Sequence, residues 1–538
     1  MVHATLLVAA LLPLAAHAAN DWTKPCFGEC NWDIDTDTGS GTVRLVGSSN
    51  GISDITTAAG WEILDCNATA TNQDIRLVCA DESAGCDHLA QNGAAGTIVR
   101  LPKSCGSMPF AVVGREWTHA NQTIPSTLAK RIARRDGSKP TVKGIALSTD
   151  FASLDSNTHG NVSFFIQGAS VPGHAKTFAV EPPTGSGDLA KRGLFDWVTD
   201  TLSNLNTFDK NVTNSSPINF EKNSPLFDTS IDCPAVGSIP AFSGSAHVDI
   251  DGKVDGNVNY GVALAGSIVP PSVDKFGLFV NLDTTVTGTV NLAASLAGSI
   301  GTGKISLFQV GIPGLDVPEI FSLGPTFEVF GSADVTLDAN VNTAVDIDYT
   351  VSGAQLFFPP GTGNGGGSFV PGDSNVKLSA SPDVTSNGKL EAHLIPTLAF
   401  GVNLLAGKAK ANINLAVDGN AAVDLSLSAS ATKSTDATAN TSDFGGCVDI
   451  TSGLDVSAGA DGSLFSLFNK DASVSLFSKN FDLFKKCFGS SAARRAYTGR
   501  SALAAMVQKR AALTCPTTAL ASAASVVEEK VLAAAIKK

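Results

Sequence analysis

The residues of this chain that could do chemistry are its carboxylates, histidines and cysteines. The segment from Asp33 to Asp37 places carboxylates at alternate positions, as the start of a calcium loop does. The sixth position of such a loop would be Thr38 instead of glycine, and the twelfth would be Arg44 instead of glutamate, so we interpret the segment as an acidic turn. A second group shares one side of a strand-like segment and predicts only a solvated face: Asp249, Asp251 and Asp255.

No catalytic motif accompanies these carboxylates. The histidines are scattered without the HExxH spacing of a metalloprotease, and no GxSxG nucleophile elbow occurs. The glycine-rich stretch 361–367 lacks the lysine of a phosphate loop. Glycosidases need two facing carboxylates, and nothing singles out such a pair. We therefore predict no catalytic residue, metal or cofactor, and an enzyme with an unrecognised carboxylate site is a minor alternative.

The charge of the chain excludes one class of partner. The 538 residues carry a formal charge of −13, and no arginine lies between Gly193 and Ala493. An acidic surface repels nucleic acid, and the guanidinium group that binds phosphate in a bidentate manner is missing from most of the chain. We therefore expect no nucleic-acid partner.

The N-terminus indicates secretion. Residues 6–14 form a short apolar core and Ala16-His17-Ala18 fits a cleavage site, so residues 1–19 are predicted to be a signal peptide. No later segment has eighteen consecutive apolar residues, and we expect no transmembrane helix. The expected location is extracellular or in a cell wall.

The cysteines fit an oxidising compartment. No CxxC pair occurs and the spacings are irregular, which favours disulfides over zinc sites. The connectivity stays open, although Cys447 and Cys487 flank one strand-like stretch and could pair. The ten disulfide candidates are Cys26, Cys30, Cys66, Cys79, Cys86, Cys105, Cys233, Cys447, Cys487 and Cys515.

Glycosylation and proteolysis are the two modifications that the sequence predicts. Paired basic residues are sites for kexin-type proteases, and Lys191-Arg192 is the best placed because it ends a Pro/Gly/Ser-rich linker that a protease can reach. A cut there leaves six cysteines before it and four after it, so each fragment could close its own bridges. Further processing candidates are Arg134-Arg135 and Lys509-Arg510, and further basic pairs are Lys130-Arg131 and Arg494-Arg495. The N-glycosylation candidates are Asn67, Asn121, Asn161, Asn211, Asn214 and Asn440.

Four segments of about twenty residues alternate apolar and polar side chains almost without error: 246–264, 281–300, 333–351 and 409–429. Side chains alternate faces along a strand, so each segment predicts β-structure with one apolar and one polar face. Glycines such as Gly252, Gly288 and Gly419 recur inside these runs and mark a bend, a bulge or a close approach. Each run is therefore either one curved strand or a hairpin with a hidden turn. The apolar faces must pack on a second sheet, a helix or a ligand.

These signals predict a mainly β protein. Residues 20–180 form a cysteine-rich N-terminal β module, 181–192 a linker with the dibasic site, and 193–234 a connecting segment. Residues 235–488 form a module of long amphipathic antiparallel strands, arranged as a sandwich or a curved sheet. Residues 489–538, rich in Ala, Leu and Lys, predict a short basic helical tail.

Several segments carry a resemblance: SNGISDITTAAGWEILDC, QDIRLVC, TIVRLPKSCG, GIPGLDVPEIFSLGPTFEVFG, KLSASPDVTSNGKLEAHLIPTLAFGV and FDLFKKCFG. They resemble segments of large, uncharacterised secreted proteins of filamentous and mushroom-forming fungi, of basidiomycete type. The resemblance covers most of the chain and implies a secreted fungal protein with a β-rich C-terminal module. It implies no activity, ligand or catalytic residue.

We therefore expect an extracellular or cell-wall-associated glycoprotein, processed by a kexin-type protease, that acts by binding or by building structure. A cell-wall polysaccharide is the expected partner. The main alternative is a carrier of a lipid or another hydrophobic ligand, because long curved sheets with small inward residues can wrap one. A fully packed interior would count against the carrier.

Overall fold

The computed structural model confirms the mainly β fold class. Among the described residues, no helix combines the length and the apolar character that crossing a lipid bilayer would need. The described ranges are 21–132, 139–151, 154–173, 188–209, 216–237, 239–317, 320–338, 340–359, 366–380, 386–404, 409–428, 445–462, 473–488, 510–515 and 524–533.

The N-terminal region, residues 21–173, contains short strands and two short helices, α1 (Ser126–Arg131) and α2 (Ser156–His159). Its strands are β1 (Glu29–Asp35), β2 (Ser40–Val46), β3 (Ile52–Asp54), β4 (Trp61–Asp65), β5 (Gln73–Cys79), β6 (Ile98–Arg100), β7 (Phe110–Thr118), β8 (Val142–Ser148) and β9 (Val162–Ala169). Six of them form a sheet in the order β3-β6-β7-β8-β5-β4. Its apolar face encloses a core around the fully buried Leu77, Val99 and Ile145.

The rest of the chain begins with one helix and continues with strands of up to 28 residues. The helix is α3 (Asp188–Asp209). The strands are β10 (Ser216–Cys233), β11 (Phe242–Val269), β12 (Ser272–Ala294), β13 (Ala297–Gly301), β14 (Ile305–Gly311), β15 (Leu315–Val317), β16 (Phe321–Asp338), β17 (Val341–Phe358), β18 (Gly366–Pro371), β19 (Ser374–Ala380), β20 (Ser386–Leu404), β21 (Ala409–Ser428), β22 (Gly445–Gly462), β23 (Ser473–Phe488), β24 (Arg510–Thr514) and β25 (Ala524–Val531).

These strands form two large sheets. Sheet I has the order β1-β2-β9-β11-β12-β17-β19-β25, with β10 also on β11 and β18 also on β17. Sheet II has the order β23-β22-β21-β20-β16-β13-β24, with β14 and β15 also on β16. The pairing of β9 with β11 joins the N-terminal strands to the long strands, so sheet I is continuous across the two regions.

The apolar faces of the two sheets pack against each other and interlock at inward-facing glycines. Gly252 and Gly288 lie opposite each other in sheet I, and a Cβ built on Gly252 would lie 3.2 Å from both methyl carbons of Leu394 in sheet II. The reverse contact lies one strand away, where a Cβ on Gly419 would lie 3.1 Å from Cγ2 of Ile347. Ile347 is the register partner of Gly288, and Leu394 is that of Gly419. Each sheet therefore inserts a side chain into a gap in the other.

Tyrosines connect the same two faces. The ring of Tyr260 meets that of Phe400 edge-on at 5.7 Å, and the hydroxyl of Tyr349 is hydrogen-bonded to the hydroxyl of Ser452. Burial raises the pKa of both tyrosines. Because a buried hydroxyl needs a partner, the Tyr349–Ser452 pair also favours one register of the sheets over its neighbours.

Helix α3 covers part of the second face of sheet I. Its residues Trp197, Val198 and Leu202 pack on Ala263 and Phe279, and all five side chains are buried. Sheet I is therefore buried on both faces at this end, whereas Asp251, Lys253 and Asp255 further along β11 stay exposed. The one-sided apolar pattern of the long runs is confirmed outside the area that the helix covers.

Two of the four alternating runs are single strands, as one of the two predicted forms has it, and the other two are neither single strands nor hairpins. The runs 246–264 and 409–429 lie within the single strands β11 and β21, apart from Ala429, which is outside the described residues. The runs 281–300 and 333–351 each break, between Ala294 and Ala297 and between Asp338 and Val341, and pass from one sheet to the other. On both sides of each break, the same alternate residues point inward and are buried, because the two sheets face one core.

Two predicted segments differ from the structure. The helical tail is wrong for residues 510–514 and 524–531, which form the edge strands β24 and β25. Helix propensity is a weak preference, and the unpaired edges of β13 and β19 supply the hydrogen bonds that override it. The predicted linker is helical from Asp188 onward, because the apolar stripe of α3 packs on sheet I. Residues 181–187 lie outside the described residues.

Replacing the interlocking leucine should destabilise the sandwich. Leu394→Ala removes a fully buried side chain and leaves a cavity over two glycines. We expect a loss of about 2–5 kcal/mol of unfolding free energy, measured by chemical denaturation. The matched control is Leu532→Ala, whose side chain is 55% exposed and should change stability by about 0.5 kcal/mol or less. Equal effects of the two substitutions would contradict the interlock.

Candidate functional site

A groove lies where the N-terminal strands meet the sandwich, and it is a candidate binding site. Its volume is about 190 Å³, and three separate chain segments line it. We call it the Trp32 groove, and its lining residues are Trp32, Ile34, Pro102, Lys103, Gly106, Ser107, Met108, Pro109 and Asp316.

One wall of the groove is the indole of Trp32 on β1. The ring of Trp22 meets it edge-on at 5.2 Å, and the guanidinium group of Arg100 lies 5.1 Å from the centre of the Trp22 ring. Arg100 is almost fully buried and donates a hydrogen bond to Oδ2 of Asp54 at 2.5 Å. Asp54 also accepts hydrogen bonds from the backbone of Cys26 and Thr56. This buried ion pair therefore fixes the segment that supports Trp32.

The second wall is the loop between β6 and β7. The loop is closed by the hydrogen bond from Leu101 N to Pro109 O at 2.9 Å, and the Cys66–Cys105 disulfide ties it to the neighbouring loop. Gly106 has φ +76°, a conformation that favours glycine, and its N–H donates to Asn67 O at 3.0 Å. These constraints fix the backbone of the loop that carries Lys103 and Met108.

The third wall is the short strand β15. Its Leu315 is buried over two glycines of the N-terminal strands: a Cβ on Gly168 would lie 2.7 Å from Cδ1 of Leu315, and one on Gly39 would lie 3.1 Å from Cδ2. The hydroxyl of Tyr260 donates to Pro313 O at 2.7 Å and anchors the chain just before β15. The packing of Leu315 on these glycines places Asp316 in the groove.

The groove combines apolar and charged groups. Trp32, Ile34 and Met108 offer an apolar surface, and Lys103 and Asp316 offer one charge of each sign. Partial burial raises the pKa of the Asp316 carboxyl group. Such a site suits a small amphipathic group with a flat apolar side and hydroxyl groups at its edge.

A cluster of charges on the outer face of sheet II is a second concentration of titratable groups. Nδ1 of His393 lies 2.8 Å from Oδ1 of Asp418, and Nε2 lies 3.6 Å from Oε1 of Glu391. Burial opposes the charge of His393, but the two carboxylates outweigh it and raise its pKa to about 10. The interaction with His393 lowers the pKa of Glu391 to about 2. The imidazole of His393 pairs with the carboxylates of Asp418 and Glu391, so we interpret the cluster as a structural ion network.

The predicted acidic segments hold no metal site. Within the described parts of the chain, no group of three or more His, Cys, Asp or Glu side chains is arranged to hold a metal ion. The interpretation as an acidic turn is wrong for Asp33 and Asp35, which lie on strand β1 because it pairs with β2, and Asp33 is buried. The predicted solvated face is wrong at Asp249, which is buried and accepts hydrogen bonds from the side-chain amides of Asn223 and Asn291 on the neighbouring strands.

The disulfides confirm the interpretation of the cysteines. The bridges are Cys26–Cys30, Cys66–Cys105, Cys79–Cys86 and Cys233–Cys515. Cys447 is also disulfide-bonded and lies opposite residue 487 in the register of β22 and β23. Each of the four bridges lies wholly on one side of residue 192, which the even cysteine counts allow.

Three predicted glycosylation acceptors lie on exposed loops: Asn67, Asn121 and Asn161. The backbone N–H and hydroxyl of Thr69 donate to Oδ1 of Asn67, both at 2.9 Å. The N–H of Thr123 donates to Oδ1 of Asn121 at 3.0 Å. The other acceptors lie outside the described residues: Asn211, Asn214 and Asn440.

The predicted processing sites have different surroundings. Lys191 and Arg192 are the fourth and fifth residues of α3, and Arg510 is the first residue of β24. Arg134, Arg135 and Lys509 lie outside the described residues. A protease needs extended, accessible backbone, so cleavage after Arg192 requires the start of the helix to open.

No pattern in the sequence predicted the Trp32 groove. Trp32, Lys103 and Asp316 are far apart along the chain and match no motif. The one available signal was Trp32 itself, because the chain has only five tryptophans and this one follows a pair of closely spaced cysteines.

Comparison with known proteins gives one match. Residues 218–489, half of the chain, match a family model described as a domain of unknown function, DUF7223. No curated protein and no solved structure matches the chain. The matched segment covers β10 to β23, so it includes Asp316 and excludes Trp32 and Lys103.

Removing the buried cation should destabilise the support of Trp32. Arg100→Met leaves the Asp54 carboxylate buried without its partner, and we expect a loss of about 3–5 kcal/mol in the unfolding free energy. The matched control is Arg115→Met, whose ion pair with Asp74 is exposed and should contribute about 1 kcal/mol or less. Chemical denaturation measures both. A loss at Arg100 no larger than that at Arg115 would contradict the anchoring role.

The charge cluster on sheet II predicts a pH dependence. The raised pKa of His393 means that its stabilisation is complete below its ordinary value of 6.5 and is lost as the pH rises through about 10. The lowered pKa of Glu391 means that its stabilisation is complete above 4.5 and is lost as the pH falls through about 2. Both contributions are complete between pH 4.5 and 6.5. The stability difference between wild type and His393→Gln should therefore be largest near pH 5 to 6.

Denaturation midpoints across this pH range measure the difference. The control is His247→Gln on the outer face of sheet I, whose side chain is 41% exposed, against 12% for His393. We expect a much smaller difference for the control. A His393→Gln difference that stays constant from pH 5 to 10 would refute the ion network.

Proposed function

The chain belongs to the DUF7223 family, whose description assigns no activity, and on that premise we propose that it is an extracellular protein that binds a carbohydrate polymer through the Trp32 groove. The observation that supports this proposal is the set of groups in the groove: an indole ring and aliphatic side chains beside Lys103 and Asp316. A sugar ring has an apolar C–H face that packs on an indole, and hydroxyl groups that a carboxylate and an ammonium group can bind.

The size of the groove favours a polymer over a free small molecule. Sites that enclose a drug-sized ligand have volumes of about 300–1,000 Å³, whereas this groove has about 190 Å³. One sugar residue of a longer chain would occupy it, with the neighbouring residues lying along the surface.

Several features support an extracellular place of action. Disulfides persist in oxidising compartments, and the groove wall depends on one of them, Cys66–Cys105. Exposed acceptors for N-glycosylation and a predicted signal peptide fit secretion. The resemblance to secreted fungal proteins makes the fungal cell wall the proposed location, and chitin and β-glucan are the polymers to test. We also propose processing by a kexin-type protease at the dibasic sites.

The packing inside the sandwich favours surface binding over a carrier role. Leu394 and Ile347 fill the gaps at Gly252 and Gly419, so the sheets are in direct contact where small inward residues would otherwise leave space for a hydrophobic ligand. The carrier hypothesis needs an apolar cavity of the ligand's size between the sheets.

Binding to insoluble polymers tests the proposal. We expect the protein to bind chitin or β-glucan, and Trp32→Ala to weaken binding at least ten-fold, which corresponds to about 1.4 kcal/mol. Asp316→Asn keeps the shape of the groove and should weaken binding less. The control is Trp117→Ala, whose half-buried ring lies on Gly144 away from the groove.

Depletion from solution by the washed polymer measures affinity, and circular dichroism checks that each variant is folded. The absence of wild-type binding to both polymers would count against the proposal. Unchanged binding by folded Trp32→Ala would exclude the groove as the site.

A further inference from the structure

The Trp32 groove contains two side chains of opposite charge that do not pair with each other. Lys103 lies on the loop between β6 and β7 and Asp316 lies on β15, so the two groups come from different walls. Among the described residues, neither side chain has a partner in an ion pair or a hydrogen bond. Both charged groups are therefore available to a ligand.

The loop that carries Lys103 keeps its own backbone donors occupied. The N–H groups of Gly106 and Ser107 donate to carbonyl oxygens of the neighbouring loop at 3.0 and 3.2 Å. A ligand in the groove therefore meets the ammonium group of Lys103 and the exposed hydroxyl of Ser107 on this wall, and the carboxylate of Asp316 on the other.

Partial burial makes the missing partner of Asp316 important. Burial raises the pKa of its carboxyl group, which means that the carboxylate has lost part of its hydration. A ligand that brings an N–H donor removes this cost. The ammonium group of Lys103 only donates hydrogen bonds, so the same ligand must also bring an acceptor.

An acetamido group provides both functions. Its N–H and its C=O point in opposite directions across a planar trans amide, so each can face a different wall. Its methyl group is apolar and suits the surface formed by Trp32, Ile34 and Met108. A hydroxyl group also donates and accepts, but both of its hydrogen bonds start from a single oxygen atom.

We propose that the Trp32 groove recognises the acetamido group of a sugar, with Asp316 accepting a hydrogen bond from its N–H and Lys103 donating one to its C=O. This inference rests on the proposed function and narrows it to N-acetylated polymers such as chitin. The indole of Trp32 packs on the sugar ring of any such polymer, whereas Lys103 and Asp316 determine which polymer is preferred.

Chitin and cellulose give a matched comparison. Both are β-linked chains of glucose-type units, and they differ in one substituent, which is an acetamido group in chitin and a hydroxyl group in cellulose. Soluble oligosaccharides of equal length from the two polymers are titrated into the full-length protein by isothermal calorimetry. We expect the wild type to bind the chitin oligosaccharide about ten-fold more tightly or better, because hydrogen bonds to charged groups are the stronger ones.

Substitutions at the two charged residues test their roles. Lys103→Met keeps the apolar stem without the donor, and Asp316→Ala removes the acceptor. Each should weaken binding of the chitin oligosaccharide about five-fold or more and that of the cellulose oligosaccharide much less. Asp316→Asn keeps an acceptor oxygen and should retain most of the preference. The control is Lys222→Met on β10, an exposed lysine outside the groove, which should change neither affinity.

The outcomes separate this inference from the proposed function. Equal affinities for the two oligosaccharides, both lost in Trp32→Ala, would overturn acetamido recognition and leave carbohydrate binding at the groove in place. A chitin preference that persists in folded Lys103→Met and Asp316→Ala would also overturn it. Wild-type affinity in folded Trp32→Ala, or binding of neither oligosaccharide by the wild type, would contradict both proposals.

Discussion

The fold depends on the direct contact between its two large sheets at inward-facing glycines. Leu394 of sheet II fits over Gly252 and Gly288 of sheet I, and Ile347 of sheet I fits over Gly419 of sheet II. Strands of this length would present a wide apolar face to water if they did not pair with another surface. Because the contacts are reciprocal and inward-facing side chains recur every second residue, a shift of one sheet by two residues along its strands would place a Cβ where a leucine or isoleucine now lies.

Alternation in the sequence predicted which side of each long strand is buried, but it could not predict where a strand changes sheets. The breaks at Ala294–Ala297 and Asp338–Val341 keep the same inward parity, since both sheets face one core. In the C-terminal tail, the local composition predicted the wrong secondary structure. Its Ala-rich composition favours a helix, and only the unpaired edges of β13 and β19, which come from distant parts of the chain, make it β-structure.

The candidate site was less predictable than the fold. The cysteine count indicated bridges, yet the pairing of Cys66 with Cys105, which rigidifies one wall of the groove, depends on three-dimensional proximity. Asp316 reaches the groove because Leu315 packs over Gly168 and Gly39, which lie 147 and 276 residues before it in the sequence. Neither the Cys66–Cys105 pairing nor the contact of Leu315 with the two glycines can be predicted from a local pattern in a single sequence.

The placement of the groove limits what membership of the family can explain. Trp32 and Lys103 precede the matched segment, and only Asp316 lies inside it. The sandwich from β10 to β23 therefore supplies a rigid support and one carboxylate, whereas the aromatic wall comes from strands that join sheet I through the pairing of β9 with β11. A protein that contains the sandwich without these N-terminal strands would lack the indole surface. Binding at the groove is thus a property of the combined sheet, and the sandwich alone is not sufficient for it.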